Sequence, residues 1–309
     1  FSTVHTLNGE LTRFDVKHKG NVARLISLAE MNGQAPREQV QRMHDAVRER
    51  KEKLKTRIPV LGITGTGGAG KSSLTDELLR RYLLDFEDRH VAIISIDPTR
   101  KRTGGALLGD RIRMNSLNNS RVYMRSLATR GSKSEISEAL DEAIDICKAA
   151  GYDLILVETS GIGQGDDEIT QFSDTSLYVM TAEYGAATQL EKIEMLDFAD
   201  FIALNKFERR GSKDALRDIR KQVWRNKGAP ANDNPKDMPV FPTIASQFND
   251  LGVNALYNAL LAKLGEISGV ELKTRYFDQE CGPEGPEQKT VVPGKRVRYL
   301  SDVSDSVRG

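Results

Sequence analysis

The sequence predicts an α/β domain in which a mostly parallel sheet carries helices on both faces. Three observations lead there. Short, nearly continuous apolar runs recur from Ile58 onward, mostly separated by segments of helical spacing, the pattern required of a sheet covered on both sides. Residues 65–72 read Gly-Thr-Gly-Gly-Ala-Gly-Lys-Ser, a complete G-x-x-x-x-G-K-[ST] stretch between an apolar run and a helical segment. Asp97 and Glu158 end two of the other runs, where a doubly wound sheet presents its ligand-binding groups.

Taken in order, Asn21–Glu30 places Val22, Leu25, Leu28 and Ala29 on one face and predicts a short amphipathic helix ending near Gly33. Pro36 opens a longer, charge-laced helix to about Lys55, with Val40, Met43, Val47 and Leu54 as a thin apolar stripe. Residues 1–57 therefore read as an N-terminal helical arm, either packed on the core or serving as a docking or dimerisation element; a homodimer is expected. Ile58–Thr64 is the first strand. Ser73–Leu84 follows as a helix on Leu74, Leu78, Leu79 and Tyr82. Val91–Ile96, Val122–Leu127, Leu154–Val157, Ser176–Thr181, Phe201–Leu204 and Val240–Thr243 are the later strands. Ser132-Lys133-Ser134-Glu135 fits a capping box, and Gly151 sits where the next helix stops. A helix from about Asn254 to Leu264 completes a domain over 58–266. Residues 267–309 turn polar, with Gly, Pro and Glu concentrated in 281–288, and read as a linker or tail leading to a following domain.

The chain of 309 residues carries 45 basic and 44 acidic side chains, a net +1 that points to no nucleic-acid groove and no anionic membrane. Cys147 and Cys281 lie far apart, which fits a reducing compartment, and a cytoplasmic location is expected. No apolar run is long enough to cross a bilayer. Because position 1 is Phe, the sequence is expected to be a piece of a longer chain.

The glycine-rich stretch is a phosphate loop, so the fold is that of a P-loop NTPase. Gly65, Gly67, Gly68, Ala69 and Gly70 let successive backbone N–H groups turn inward on phosphates, and the new helix offers its positive end through Ser72 and Ser73. Lys71 reaches the β- and γ-phosphates, and the Ser72 hydroxyl takes a place on Mg²⁺. Asp97 and Glu158 are candidate metal-holding carboxylates. Between them, 104–113 is a Gly stretch ending in Asp110, Arg111 and Arg113; Asp110 can support the metal and either Arg can offset charge on the transferred group. Gln164, in the Gly161–Gly165 loop, is a candidate for orienting water. Base choice rests on Asn205-Lys206-Phe207-Glu208, a variant of the N-K-x-D pattern whose carboxylate accepts from both donors on guanine's Watson–Crick edge. Ala245 and Ser246, after the last strand, match a loop that donates backbone N–H groups to the guanine carbonyl. Together these predict GTP/GDP and Mg²⁺ as the bound groups.

Glu158-Thr159-Ser160-Gly161, Asp97-Pro98-Thr99 and 109–114 (Gly-Asp-Arg-Ile-Arg-Met) closely resemble the GTPase chaperones of adenosylcobalamin-dependent acyl-CoA mutases, in family order over about 21–264. The resemblance implies GTP hydrolysis that gates cobalamin loading and release. It places phosphate and Mg²⁺ on the matching residues, Thr159 included, a catalytic arginine at Arg113, and an additional switch in Glu183–Leu196. Glu208 departs from the family's usual Asp, and 164–167 (Gln-Gly-Asp-Asp) is longer and more acidic than expected. Both departures, with Phe1 and the 292–300 tail, look like the G-domains of fused isobutyryl-CoA mutases. There a cobalamin-binding domain and an acyl-CoA domain flank the G-domain. Asp15–Gly20 has the wrong spacing for a cobalamin signature, so that cofactor is expected in partner or flanking domains. Competing readings are a nickel-delivery GTPase, for which four His and two distant Cys are too few, a P-loop small-molecule kinase, and a scaffold that binds nucleotide without hydrolysis.

Overall fold

The computed structural model describes residues 9–31, 35–97, 114–128, 139–159, 169–184, 190, 191, 193–228, 234–279, 281, 282 and 285. Seven strands among them form one sheet: β1 (Val60–Gly65), β2 (Val91–Asp97), β3 (Val122–Ala128), β4 (Leu154–Thr159), β5 (Thr175–Met180), β6 (Phe201–Asn205) and β7 (Val240–Thr243). All pairs are parallel, in the order β3-β2-β4-β1-β5-β6-β7. The chain steps from β1 outward to β2 and β3, returns through β4, then continues on the other side of β1 through β5 to β7. The carboxyl end of β1 is therefore the topological switch point, where open α/β sheets bind ligands.

Each residue of β1, β4 and β5 is buried, which is why these strands read as unbroken apolar runs. Alternate side chains serve opposite faces. On one face Leu61, Ile63, Leu154, Leu156, Leu177 and Val179 pack against α3 (Lys71–Asp85) and α8 (Leu251–Ser268). On the other, Ile94, Ile96, Ile155 and Val157 meet α1 (Lys19–Ala29), α2 (Arg37–Glu52) and α4 (Leu140–Ala149). Tyr178, Met180, Ile202 and Leu204 meet α6 (Met195–Phe198) and α7 (Ser212–Asn226) beside them, α5 (Ile169–Phe172) being a single turn before β5.

The two arm helices spend their apolar stripe on this core. Val22, Leu25 and Ile26 of α1 and Met43 and Val47 of α2 are buried against α4, while Val40 and Leu54 are only half-buried. Polar ties add direction: Lys19 Nζ donates to Val122 O (2.6 Å), Arg125 donates to Ser27 Oγ (2.8 Å) and to Glu30, and the Arg50 guanidinium lies 3.9 Å from the Phe14 ring centroid. The packed reading of the arm is the one the structure shows. Cys147 lies fully inside α4, where burial pushes its thiol up to about 12. Among the described residues no helix is long and apolar enough to cross a membrane.

Boundaries moved where side chains, not periodicity, set them. Helix α8 starts at Leu251 because Asp250 caps it, its carboxylate accepting from the Val253 N–H, and ends at Gly269, which takes φ +68°. The last helix is thus three residues longer at its start than the apolar pattern implied. Strand β4 runs on through Thr159 because its ladder with β2 pairs Ile96 with Thr159. Gly151 takes φ +88° just past α4, where the sequence placed a helix stop, whereas the 132–135 capping box lies outside the described residues.

The first turn of α8 backs directly onto β7: a Cβ on Gly252 falls 1.7 Å from Pro242 O. Gly252→Ala is expected to destabilise the protein by about 1–3 kcal/mol, lowering Tm by roughly 2–4 °C per kcal/mol. An unchanged melting curve would show that α8 is free to move off the strand.

Candidate nucleotide and metal site

The phosphate loop leaves the buried end of β1 and enters α3 without a side-chain cap. Two glycines are fixed by contact. Gly65 takes φ +147°, and a Cβ there would lie 1.9 Å from Val179 O on β5. Gly70 takes φ +89°, and its Cβ would meet Asn205 Nδ2 at 2.6 Å. Gly68 is left-handed in open space. Lys71, only 8% exposed, donates through Nζ to Gly65 O (2.9 Å) and Thr66 O (3.2 Å), so its ammonium lies along the loop.

As the second residue of α3, Ser72 donates through Oγ to Glu158 Oε1 at 2.9 Å, with the carboxylate buried at the end of β4. Beside it Thr159 Oγ1 donates to Thr64 Oγ1 (2.7 Å), bracing β4 against β1 beneath the pair. A hydroxyl and a carboxylate are hard oxygen donors of the kind Mg²⁺ takes, and they sit against the phosphate loop. The residues present therefore fit that ion. The side chain of Asp97, and Asp110, Arg111, Arg113 and Gln164 as whole residues, lie outside the described residues. Where the chain returns after 98–113, Asp76 of α3 accepts from the backbone N–H of Asn115 (3.1 Å) and Ser116 (2.9 Å). That ties the segment's end to the helix the loop begins.

The Asn205–Glu208 motif has a structural task that sequence reading missed. Asn205 Nδ2 donates to Ala69 O (2.8 Å), and its Oδ1 accepts from Ala245 N (3.2 Å) and Thr243 Oγ1 (3.2 Å). Lys206, at φ +57°, donates through Nζ to Gly68 O (2.7 Å). These two side chains join the phosphate loop to the loop carrying Ala245 and Ser246. The Asn-Lys pair was the available signal, but its reach across more than 130 residues is visible only in three dimensions. Phe207 is buried and donates its N–H to Thr243 O (3.1 Å), while Glu208 and Ser246 are exposed at the rim. Arg209, next along, pairs with Glu183, the first residue of the stretch that the resemblance marks as an extra switch.

Asp250 is the other residue missed. Its Oδ1 accepts from Ile244 N (3.1 Å) and Val253 N (2.8 Å), anchoring the Ala245–Ser246 loop to α8. Burial raises its pKa, opposed by those two hydrogen bonds and by Arg81. An Asp seven residues beyond a strand and one before an apolar helix was a readable N-cap signal.

The model of the methylmalonyl-CoA mutase-associated GTPase MeaB family matches residues 22–268. The chain is 50% identical over 308 residues to the fused isobutyryl-CoA mutase of Geobacillus kaustophilus, covering 100% of this chain and 28% of that protein. It is 54% identical over 288 residues to the fused isobutyryl-CoA mutase of Cupriavidus metallidurans, covering 93% and 26% respectively. The chain thus spans about a quarter of the length of these relatives. It is also 34% identical over 147 residues to the mitochondrial methylmalonic aciduria type A homolog of Caenorhabditis elegans, covering 47% of this chain and 37% of that one. Among solved structures, a LAO/AO transport system kinase matches with TM-score 0.58 and 22% identity, over 85% of this chain and 76% of that one, which supports the fold. A loop-bearing β1, a Ser–Glu pair at β4 and an Asn-Lys brace from β6 stand inside the matched span. The chain belongs to the MeaB family of methylmalonyl-CoA mutase-associated GTPases.

Proposed function

We propose that this chain is a Mg²⁺-dependent GTPase that acts as a chaperone switch, gating adenosylcobalamin loading and release on an acyl-CoA mutase. The observation that carries the reading is the Ser72–Glu158 pair at 2.9 Å against the phosphate loop. Residues 58–266 form the GTPase domain, 1–57 its arm, and 267–309 the lead into a following domain. The likeness to fused isobutyryl-CoA mutases supports cobalamin-binding and acyl-CoA domains as partners, with isobutyryl-CoA/n-butyryl-CoA interconversion carried by those domains. A cytoplasmic homodimer completes the proposal.

The loop N–H groups of 67–72 bind the phosphates, and Lys71 supplies the cation beside the β- and γ-oxygens. Ser72 and Glu158 would hold Mg²⁺, with Asp97, Asp110 and Thr159 completing the set. When bound, Mg²⁺ would supply positive charge that offsets the negative charge of the triphosphate. Arg113 offsets charge developing on the transferred group, and Gln164 orients the attacking water. Asn205 and Lys206 keep the phosphate loop and the base loop in register. Glu208 accepts from the two donors on guanine's edge, which adenine does not offer together. Its extra methylene over Asp loosens that choice.

The expected result is phosphate release from GTP that requires Mg²⁺, with GTP bound more tightly than ATP by calorimetry on the parent protein. Equal affinity for the two nucleotides would refute the guanine assignment, and a phosphorylated small molecule in place of phosphate would replace the switch with a kinase.

A further inference from the structure

The chain beyond α8 does not leave the domain where the helix ends. After Gly269, the described residues of 270–285 turn back along α3 and α8 toward the nucleotide end. At the foot of α3, Arg275 N–H donates to Asp85 Oδ1 (2.8 Å), and the same buried carboxylate accepts from Tyr257 OH (2.8 Å). Nearer the loop, Phe277 O accepts from Asn258 Nδ2 (2.7 Å), and the Phe277 ring lies 5.1 Å from the fully buried Arg81 guanidinium. Arg81 Nε in turn donates to Asn254 Oδ1 (2.8 Å) on α8. Cys281 comes next and is half-buried; burial raises its thiol pKa, with Asp250 adding to the rise and Arg220 opposing it. By Gly285, against Phe207 and Pro242, the returning chain has reached the nucleotide end, about 22 Å along the 15 residues of α3.

There it meets the base motif itself. Gly285, at φ +99°, lies so close that a Cβ would stand 2.5 Å from Phe207 Cε1 and 3.0 Å from Pro242 Cγ. Phe207 is the third residue of Asn205–Glu208, buried and bonded to Thr243 O. Its neighbour Lys206 holds an unusual left-handed conformation while reaching Gly68. A shift of the Phe207 ring therefore displaces Lys206 on one side and Glu208 on the other.

We propose that this returning segment is a positioning element of the base site: Gly285, seated on Phe207 and Pro242, holds the 205–208 turn in register and links base occupancy to the chain that follows residue 285. The inference rests on the nucleotide reading above. It implies that movement of the following chain changes guanine affinity, and that bound guanine nucleotide resists such movement, since coupling is reciprocal.

The test is Gly285→Val in the full parent protein, with binding of GDP, GTP, ATP and inorganic tripolyphosphate measured by calorimetry. Gly151→Val, equally left-handed but in open space, controls for backbone strain. The seat predicts that Gly285→Val weakens GDP and GTP about tenfold, narrows the GTP-over-ATP preference, and weakens tripolyphosphate less, because only the Lys206–Gly68 bond carries the shift to the phosphate loop. Gly151→Val keeps all four affinities. With Phe207→Ala as background, adding Gly285→Val costs less further affinity than it does alone, because the ring it strikes hardest is gone while the Pro242 contact stays. Gly285→Ala, gentler on folding, is expected to show the same pattern at smaller amplitude. Absence of guanine binding by the unaltered protein overturns both readings. Unchanged GDP affinity in Gly285→Val, or an equal loss of tripolyphosphate, overturns the seat alone.

Discussion

Lys71→Ala is expected to weaken GTP binding by at least about 100-fold and to abolish phosphate release, with the fold retained. The ammonium is nearly buried and lies along the loop, bonded to Gly65 O and Thr66 O. Charge-assisted hydrogen bonds contribute about 1.5–3 kcal/mol each. Losing two phosphoryl contacts removes roughly 3 kcal/mol or more, and each 1.4 kcal/mol is tenfold in affinity. The fold survives because the loop is also held from outside, by Asn205 at Ala69 O and Lys206 at Gly68 O. The stability cost is confined to carbonyls left without their donor, about 1 kcal/mol. Calorimetry with GTP, beside a melting curve, checks both halves. Binding retained within tenfold would remove Lys71 from the phosphate site. Lys71→Arg is expected to fail as well, because a planar fork does not replace a compact point charge inside a loop this closed.

The strands were legible because burial on both faces writes them as apolar runs. Val240–Thr243 was read at its observed limits, and the others lie within about two residues of theirs. Helix α8 was legible only in part. Its apolar spacing marked 254–264, but its ends are set by the Asp250 cap and by left-handed Gly269, single-residue signals that periodicity does not weigh. The phosphate loop was complete in the sequence because a local backbone conformation does its work. What stayed hidden joins distant segments: Asn205 and Lys206 bracing the loop, and Gly285 against Phe207. Each depends on which strands are neighbours, and an order that places β4 between β2 and β1 is not written in any one stretch.

The same wiring separates two kinds of residue at the site. On the proposed reading, Lys71, Ser72 and Glu158 handle charge. Asn205, Lys206 and Asp250 face loops and hold them at fixed spacing. Substitutions in the second group should raise nucleotide Kd with little effect on turnover at saturation. Substitutions in the first should lower turnover itself.

Glu158→Gln isolates one term of that first group. The amide keeps the size of the carboxylate and can still accept from Ser72 Oγ, so the 2.9 Å contact and the bracing Thr159–Thr64 bond beside it have no cause to break. Only the charge goes. Binding of GDP without metal should change little, because no phosphate contact is assigned to Glu158. Mg²⁺-dependent turnover should fall by at least about tenfold, the low end of what one preorganised electrostatic group contributes, and the Mg²⁺ concentration for half-maximal rate should rise. Ser72→Ala is expected to act through the same ion, so the double variant should lose much less than the product of the two single losses. Full additivity would place Ser72 and Glu158 in separate roles. Unchanged Mg²⁺-dependent turnover in Glu158→Gln would take the carboxylate out of the metal site, leaving it as a buried hydrogen-bond partner at the end of β4.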